Sequence, residues 1–195
     1  MPLVDLPPSL HERVACSIAA AVKYEVPANV LLAVAEKEGG RPGQWVRNAN
    51  GTHDVGPMQF NTAYLSELGK YGITPADAAQ AGCYPFYLAA WRLRGHIRND
   101  EGDLWTRAAN YHSRTPRYNA AYRADLIVKA LKWADWLEAR FVTYDMAKPA
   151  PSTRVALQDK AQAEPVPRVM TAQQPLARPG TSPEYVPRKL LVDGQ

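Results

Sequence analysis

A mainly α-helical (α+β) single domain is predicted by three observations. Apolar residues recur at helical spacing through most of the first 141 positions, glycine and asparagine concentrate in one stretch at 43–60, and no internal repeat or sustained strand alternation is present. A chain of 195 residues with 46% hydrophobic content can bury one core of ordinary size and still carry a tail. The expected divisions are an N-terminal extension over 1–9, one helical domain over 10–147 and a tail over 148–195.

Leu10, Val14, Ile18 and Val22 stand four residues apart and predict a first helix. Pro27 suits the first position of a second helix, which runs to Glu38 and stops at Gly39-Gly40, where a helix C-terminus wants glycine. Gly43, Asn48 and Gly56-Pro57 read as loop, with a small hairpin turning at Asn50-Gly51. Asn61 is placed to cap a helix over 62–70, and Pro85 to begin one whose inner face is Phe86, Ala89, Ala90, Leu93 and Ile97. A shorter helix follows near Leu104 to Tyr111, and a long one from Ala120 to Phe141 closes the domain. The polar run from Tyr111 to Arg123 reads as a solvated loop or groove rim. Eight of the 17 prolines fall in 149–187 among Ala, Gln, Arg and Val, a composition that cannot bury a core and predicts a disordered tail.

The net charge of +4 is unevenly spread. Residues 1–147 hold sixteen basic and fifteen acidic side chains, so the domain is almost neutral and has no dense Lys/Arg cluster to track phosphates. Nucleic acid is not an expected partner. The longest apolar stretch, Val26 to Ala35, is far short of the roughly 18 residues that span a bilayer. Met1 to Leu10 has no Lys or Arg and carries Pro2, Pro7 and Pro8, which does not read as a secretory signal and leaves the export route open.

Leu31, Val34, Ala35 and Glu38 stand at i, i+3, i+4 and i+7, which puts Glu38 on the apolar face, while Glu36 points the other way. An acid at the edge of a core loses hydration, and in a last helical turn it also meets unpaired carbonyls, so both effects raise its pKa. A carboxyl that keeps its proton near neutral pH is what a general acid needs. The bland alternative is a surface glutamate on a frayed helix end.

Three segments decide between these. Ala33-Val34-Ala35-Glu36-Lys37-Glu38-Gly39-Gly40, then Asp54-Val55-Gly56-Pro57-Met58-Gln59-Phe60-Asn61, then Ala109-Asn110-Tyr111-His112 resemble, in order and spacing, the motifs of the lysozyme-like lytic transglycosylases. The resemblance covers roughly residues 12–141 and is nearest to members of conjugative transfer and type IV secretion, TrbN-like proteins among them. It implies a lysozyme-like fold and cleavage of the N-acetylmuramic acid to N-acetylglucosamine bond of peptidoglycan. Glu38 matches the catalytic acid, Met58, Gln59 and Phe60 the segment lining the sugar groove, and Tyr111 the tyrosine whose hydroxyl lies near the acid. Gly39 stands where the family usually has Ser, Pro57 where it has Leu, and His112, beside Tyr111 in the groove, where it has Asn. No cofactor is implied. His11, His53, His96 and His112 share no metal-ligand spacing with cysteines or acids, so no metal site is expected.

Three functions stay open at this point: a transglycosylase forming a 1,6-anhydro product, a muramidase using water, and a non-catalytic scaffold that binds the wall or channel subunits through the tail. Asp54 is the acid that could hold a hydrolytic water, though Asp is more often a turn residue. Cys16 and Cys83 permit one disulfide and equally two buried thiols. The resemblance places them on the first helix and just before the Pro85 helix, where related secretion-linked members often carry cysteines. A bridge there implies an oxidising compartment, the periplasm.

Overall fold

The computed structural model describes residues 6–145 and the backbone of a short strand at 188–190. Helix α1 spans Pro8–Tyr24 and α2 spans Ala28–Glu38. All eight residues from Ala28 to Ala35 are buried, and α2 is packed by α1, α5 (Tyr84–Asn99) and α7 (Pro116–Glu138). A helix whose first eight residues are all buried belongs at the centre of a domain, and α2 is that helix here.

The Gly/Asn-rich stretch folds into an antiparallel three-stranded sheet in the order β1 (Trp45–Arg47), β2 (His53–Val55), β3 (Phe60–Asn61). Trp45 pairs with Val55 and Asp54 with Asn61. Its first turn is at Asn50-Gly51, with Gly51 at φ +84° and the Asn48 N–H donating to the Thr52 carbonyl at 2.8 Å. The sheet is seated on the end of α2 by two glycines. A Cβ at Gly40 would collide with the Gly56 carbonyl and the Gln59 amide, and one at Gly56 with the Ala78 carbonyl. Gly39, at φ +58°, is the left-handed residue that ends α2, a conformation that serine in its place would adopt at a cost.

Asn61 caps α3 (Thr62–Leu68) by accepting from the Ala63 N–H at 3.0 Å, and a 3₁₀ turn at Gly69–Tyr71 follows. A short helix α4 (Pro75–Ala79), absent from the sequence reading, is nucleated by a capping box between Thr74 and Asp77. Helix α6 covers Leu104–Ala109. The long helix α7 begins four residues earlier than expected, at Pro116, so the polar run up to Arg123 is loop only as far as Thr115. Among the described helices none is long and apolar enough to cross a membrane.

Within the span of the expected Pro-rich tail one short segment is described. Strand β4 (Thr143–Asp145) pairs antiparallel with β5 (Arg188–Leu190), which runs beside α2 and α1. Residues 188–190 follow the last proline, Pro187, so their N–H groups are free to join a ladder. The remainder of the tail, and residues 1–5, lie outside the described residues.

Cys16 and Cys83 form a disulfide that joins α1 to the start of α5 across 67 positions. Closing a loop of that length constrains the unfolded chain by about 4 kcal/mol on chain-entropy arguments. The Cys16→Ala/Cys83→Ala protein is expected to fold but to melt well below the parent, by more than 5 °C in a thermal scan. An unchanged melting temperature would show that the bridge adds nothing to the fold.

Candidate active site

Burial brings Glu38 to the site, because the register that hides Leu31, Val34 and Ala35 carries its side chain off the same face of α2. As a residue Glu38 is half-buried, yet its carboxyl is crowded enough that lost hydration is the largest influence on its pKa, which rises to about 7. Asp54 adds to the rise. The Tyr122 hydroxyl, which donates to Oε1 at 2.6 Å, and the positive charges of Arg92 and Lys37 pull the other way. Lys37 itself is turned aside, its ammonium 2.6 Å from Asp125 on α7.

The carboxyl sits between two depressions. One of about 340 Å³ is lined by Glu38, Asp54, Gln59, Asn61, Arg92, Tyr111 and His112. The other, of about 330 Å³, runs past Lys37, His112, Tyr118 and Tyr122. The three sequence motifs therefore converge on one cleft, with Glu38 shared by its two halves.

Within the motifs the residues divide by role. Gln59 takes φ +47° and donates its amide to the Gly56 carbonyl at 2.8 Å, which holds it in the cleft wall. Met58 and Phe60, expected to line the sugar groove, are fully buried and support the wall from behind. Phe60 packs between Tyr64 and Tyr111, with ring centroids 6.2 Å apart in each case. The three residues part company because Met58 and Gln59 belong to the turn that joins β2 to β3, where the left-handed backbone of Gln59 turns its side chain away from those of its buried neighbours. Tyr111 lines the cleft, but its hydroxyl donates to the Met58 carbonyl at 3.1 Å and not to the acid. His112 lies flat against Tyr122, centroids 4.8 Å apart and planes 5° from parallel. Burial lowers its pKa, with Lys37 acting in the same direction, so it faces the cleft as a neutral imidazole. Asp54 lies in a strand and not in a turn; its Oδ1 accepts from the Asn61 amide at 2.9 Å, across the cleft's edge.

Two contributors escaped the sequence reading. Tyr122 supplies the hydroxyl that donates to Glu38, and Arg92 reaches the cleft from α5. Reading Thr115-Pro116 as a helix start would have placed Tyr118 and Tyr122 at i and i+4 on one face. That face is held in place by Asn119, a buried amide set against the Thr106 and Ser113 carbonyls and Asn110 Oδ1 at 2.8–3.2 Å. Arg92 gave no such signal, since it interrupts an apolar helical pattern.

The raised Glu38 pKa has a consequence for stability. The folded protein holds this proton up to about pH 7 and the unfolded chain only to about 4.5, so stability contributed by Glu38 is complete below pH 4.5 and is lost as pH rises to 7. The loss is on the order of 3 kcal/mol. Glu38→Gln, which never ionises, should therefore be the more stable protein in denaturant titrations at pH 8 and should lose its advantage at pH 4.5. Equal stability of the two proteins at pH 8 would contradict the placement of the carboxyl.

Comparison with known proteins agrees with this geometry. The transglycosylase SLT domain family matches residues 15–125, a stretch that contains the C-terminal part of α1, the Glu38 helix, the sheet and Tyr122. Invasion protein IagB of Salmonella typhimurium is 26% identical over 101 residues, 51% of this chain and 62% of its own length. Protein IpgF of Shigella flexneri is 30% identical over 104 residues, 53% of this chain and 68% of its own. The aligned part thus spans just under two thirds of the invasion protein. A family match over more than half the chain, on the segments that build the cleft, shows that this chain belongs to the transglycosylase SLT domain family.

Proposed function

We propose that the protein is a peptidoglycan lytic transglycosylase with Glu38 as its one acid and base. The observation that carries this is the Glu38 carboxyl, lifted to about 7 by burial, at the meeting of two depressions. Glu38 in its acid form donates its proton to the oxygen joining N-acetylmuramic acid to N-acetylglucosamine, and the bond from that oxygen to the muramyl C1 breaks. The acetamido oxygen of the same muramyl residue closes on C1 and carries the positive charge. Glu38, now a carboxylate held by the Tyr122 hydroxyl, removes the proton of the muramyl 6-hydroxyl, whose oxygen displaces the acetamido group. The product is a 1,6-anhydro ring, Glu38 has its proton back, and no water is consumed.

Asp54 favours a second reading. It lines the same depression as Glu38, where a carboxylate can orient a water toward C1 and make the reaction hydrolytic. Against it, Asp54 is already engaged by Asn61.

The finer setting is part of the proposal: action in the periplasm, where the wall is and where the Cys16–Cys83 bridge persists, and local opening of the wall for a conjugation or secretion apparatus. The motif resemblance to conjugation-associated members supports it, as does similarity to a relative named as an invasion protein.

Incubation with purified sacculi and mass analysis of the released muropeptides tests the reaction. Anhydro products, lighter by one water than reducing-end products, are expected; reducing ends alone would establish the hydrolase. Glu38→Gln should lower release by a hundredfold or more, the range lost with a general acid, while Glu36→Gln should leave release intact. Glu36 is occupied on the far side of α2, its carboxylate accepting from Lys132 and from the Trp133 indole at 2.7 Å.

A further inference from the structure

Arg92 is surplus to the chemistry above. Its guanidinium lies 4.1 Å from the Tyr64 ring centroid and 4.7 Å from that of Tyr111, held between two aromatic faces. Its Nε is buried with no hydrogen-bond partner, and among the described residues no carboxylate lies within ion-pair distance of it. A cation oriented by two rings and with no carboxylate in ion-pair contact is a donor prepared for an anion supplied from outside.

Its position says where that anion would lie. Arg92 lines the Glu38 depression on one side and, on the other, a neighbouring cleft of about 710 Å³ beside α5. That cleft also carries Arg94, Arg98 and Arg114 against only Glu67 and Asp100. Arg94 and Arg98 reach Glu25 at 3.9 and 3.2 Å and Arg114 reaches Asp100 at 3.0 Å, but Arg98 and Arg114 are more than half exposed and can turn to a second anion.

The muramyl residue that reacts at Glu38 bears, through its lactyl group, an acidic peptide with several carboxylates. The stem begins a few bonds from the reacting carbon and has to leave the sugar groove on one side. Resting on the proposed function above, we infer that the basic cleft along α5 binds this peptide stem, with Arg92 at its mouth as a specificity-determining residue. The enzyme then selects stem-bearing glycan over glycan stripped of peptide.

The test compares kcat/KM on soluble glycan strands that carry stems with the same strands stripped by an amidase. The wild-type protein should prefer the stem-bearing strands by about tenfold or more, most of it in KM. Arg92→Gln should remove most of that preference. Arg98→Gln, a change at an exposed position that the fold tolerates, should lower it by roughly two- to fivefold. Equal cleavage of both strands by the wild type would overturn this inference and leave the transglycosylase reading standing. Preference for stripped strands would overturn it in favour of a free lactyl carboxylate at Arg92. Cleavage of neither would remove both readings together.

Discussion

Glu38 ends a helix whose first eight residues have no face in water, and the site follows from that constraint. A carboxyl at the end of such a helix cannot be fully hydrated without unburying the core, so it keeps its proton to about pH 7. The same buried helix forces the chain to turn away at once. Gly39 supplies the left-handed turn and Gly40 the contact with the Gly56 loop, which brings the sheet, with Asp54 and Gln59, against the acid. Stability is given up to keep a charge-bearing group enclosed, a usual condition of acid–base sites.

Helix α7 treats the three charged residues at the end of α2 in three ways. Glu36 is paired with Lys132 and also accepts from the Trp133 indole, Lys37 is paired with Asp125, and Glu38 receives only a neutral hydroxyl from Tyr122. A tyrosine satisfies the carboxyl as a hydrogen-bond acceptor without pairing its charge, so the proton is not displaced as it would be by a lysine. Burial raises the Tyr122 pKa well above that of an ordinary phenol, with the Glu38 charge adding to it, so the hydroxyl stays a donor. The difference between Glu36 and Glu38, two positions apart, is thus a difference in what α7 presents to each.

Much of this was legible in the residues. The helical order, the hairpin at Asn50-Gly51, the Asn61 cap and the exposure of Glu38 to the apolar face all rest on local periodicity and turn chemistry, which act within a few positions. What was missed depends on contacts distant in sequence. Met58, Gln59 and Phe60 read as one segment, but the turn at 56–59, with Gln59 in a left-handed conformation, leaves Met58 and Phe60 in the core. Tyr122 is 84 positions from Glu38, and its role needs α7 to begin at Pro116, a signal present at Thr115-Pro116 and masked by the polar residues around it. Arg92 meets Tyr64 and Tyr111 only through packing of α5, and the ladder at 188–190 depends on a partner strand more than forty residues away.

The chemistry of the site depends on Glu38 holding a proton near neutral pH. Carbon-13 NMR of the glutamate side-chain carboxyls, titrated through pH 3–9, measures it directly, with the Glu38→Gln spectrum assigning the resonance. A Glu38 midpoint near 7 is the expected result. A midpoint near 4.5, the value of an ordinary exposed glutamate, would contradict it.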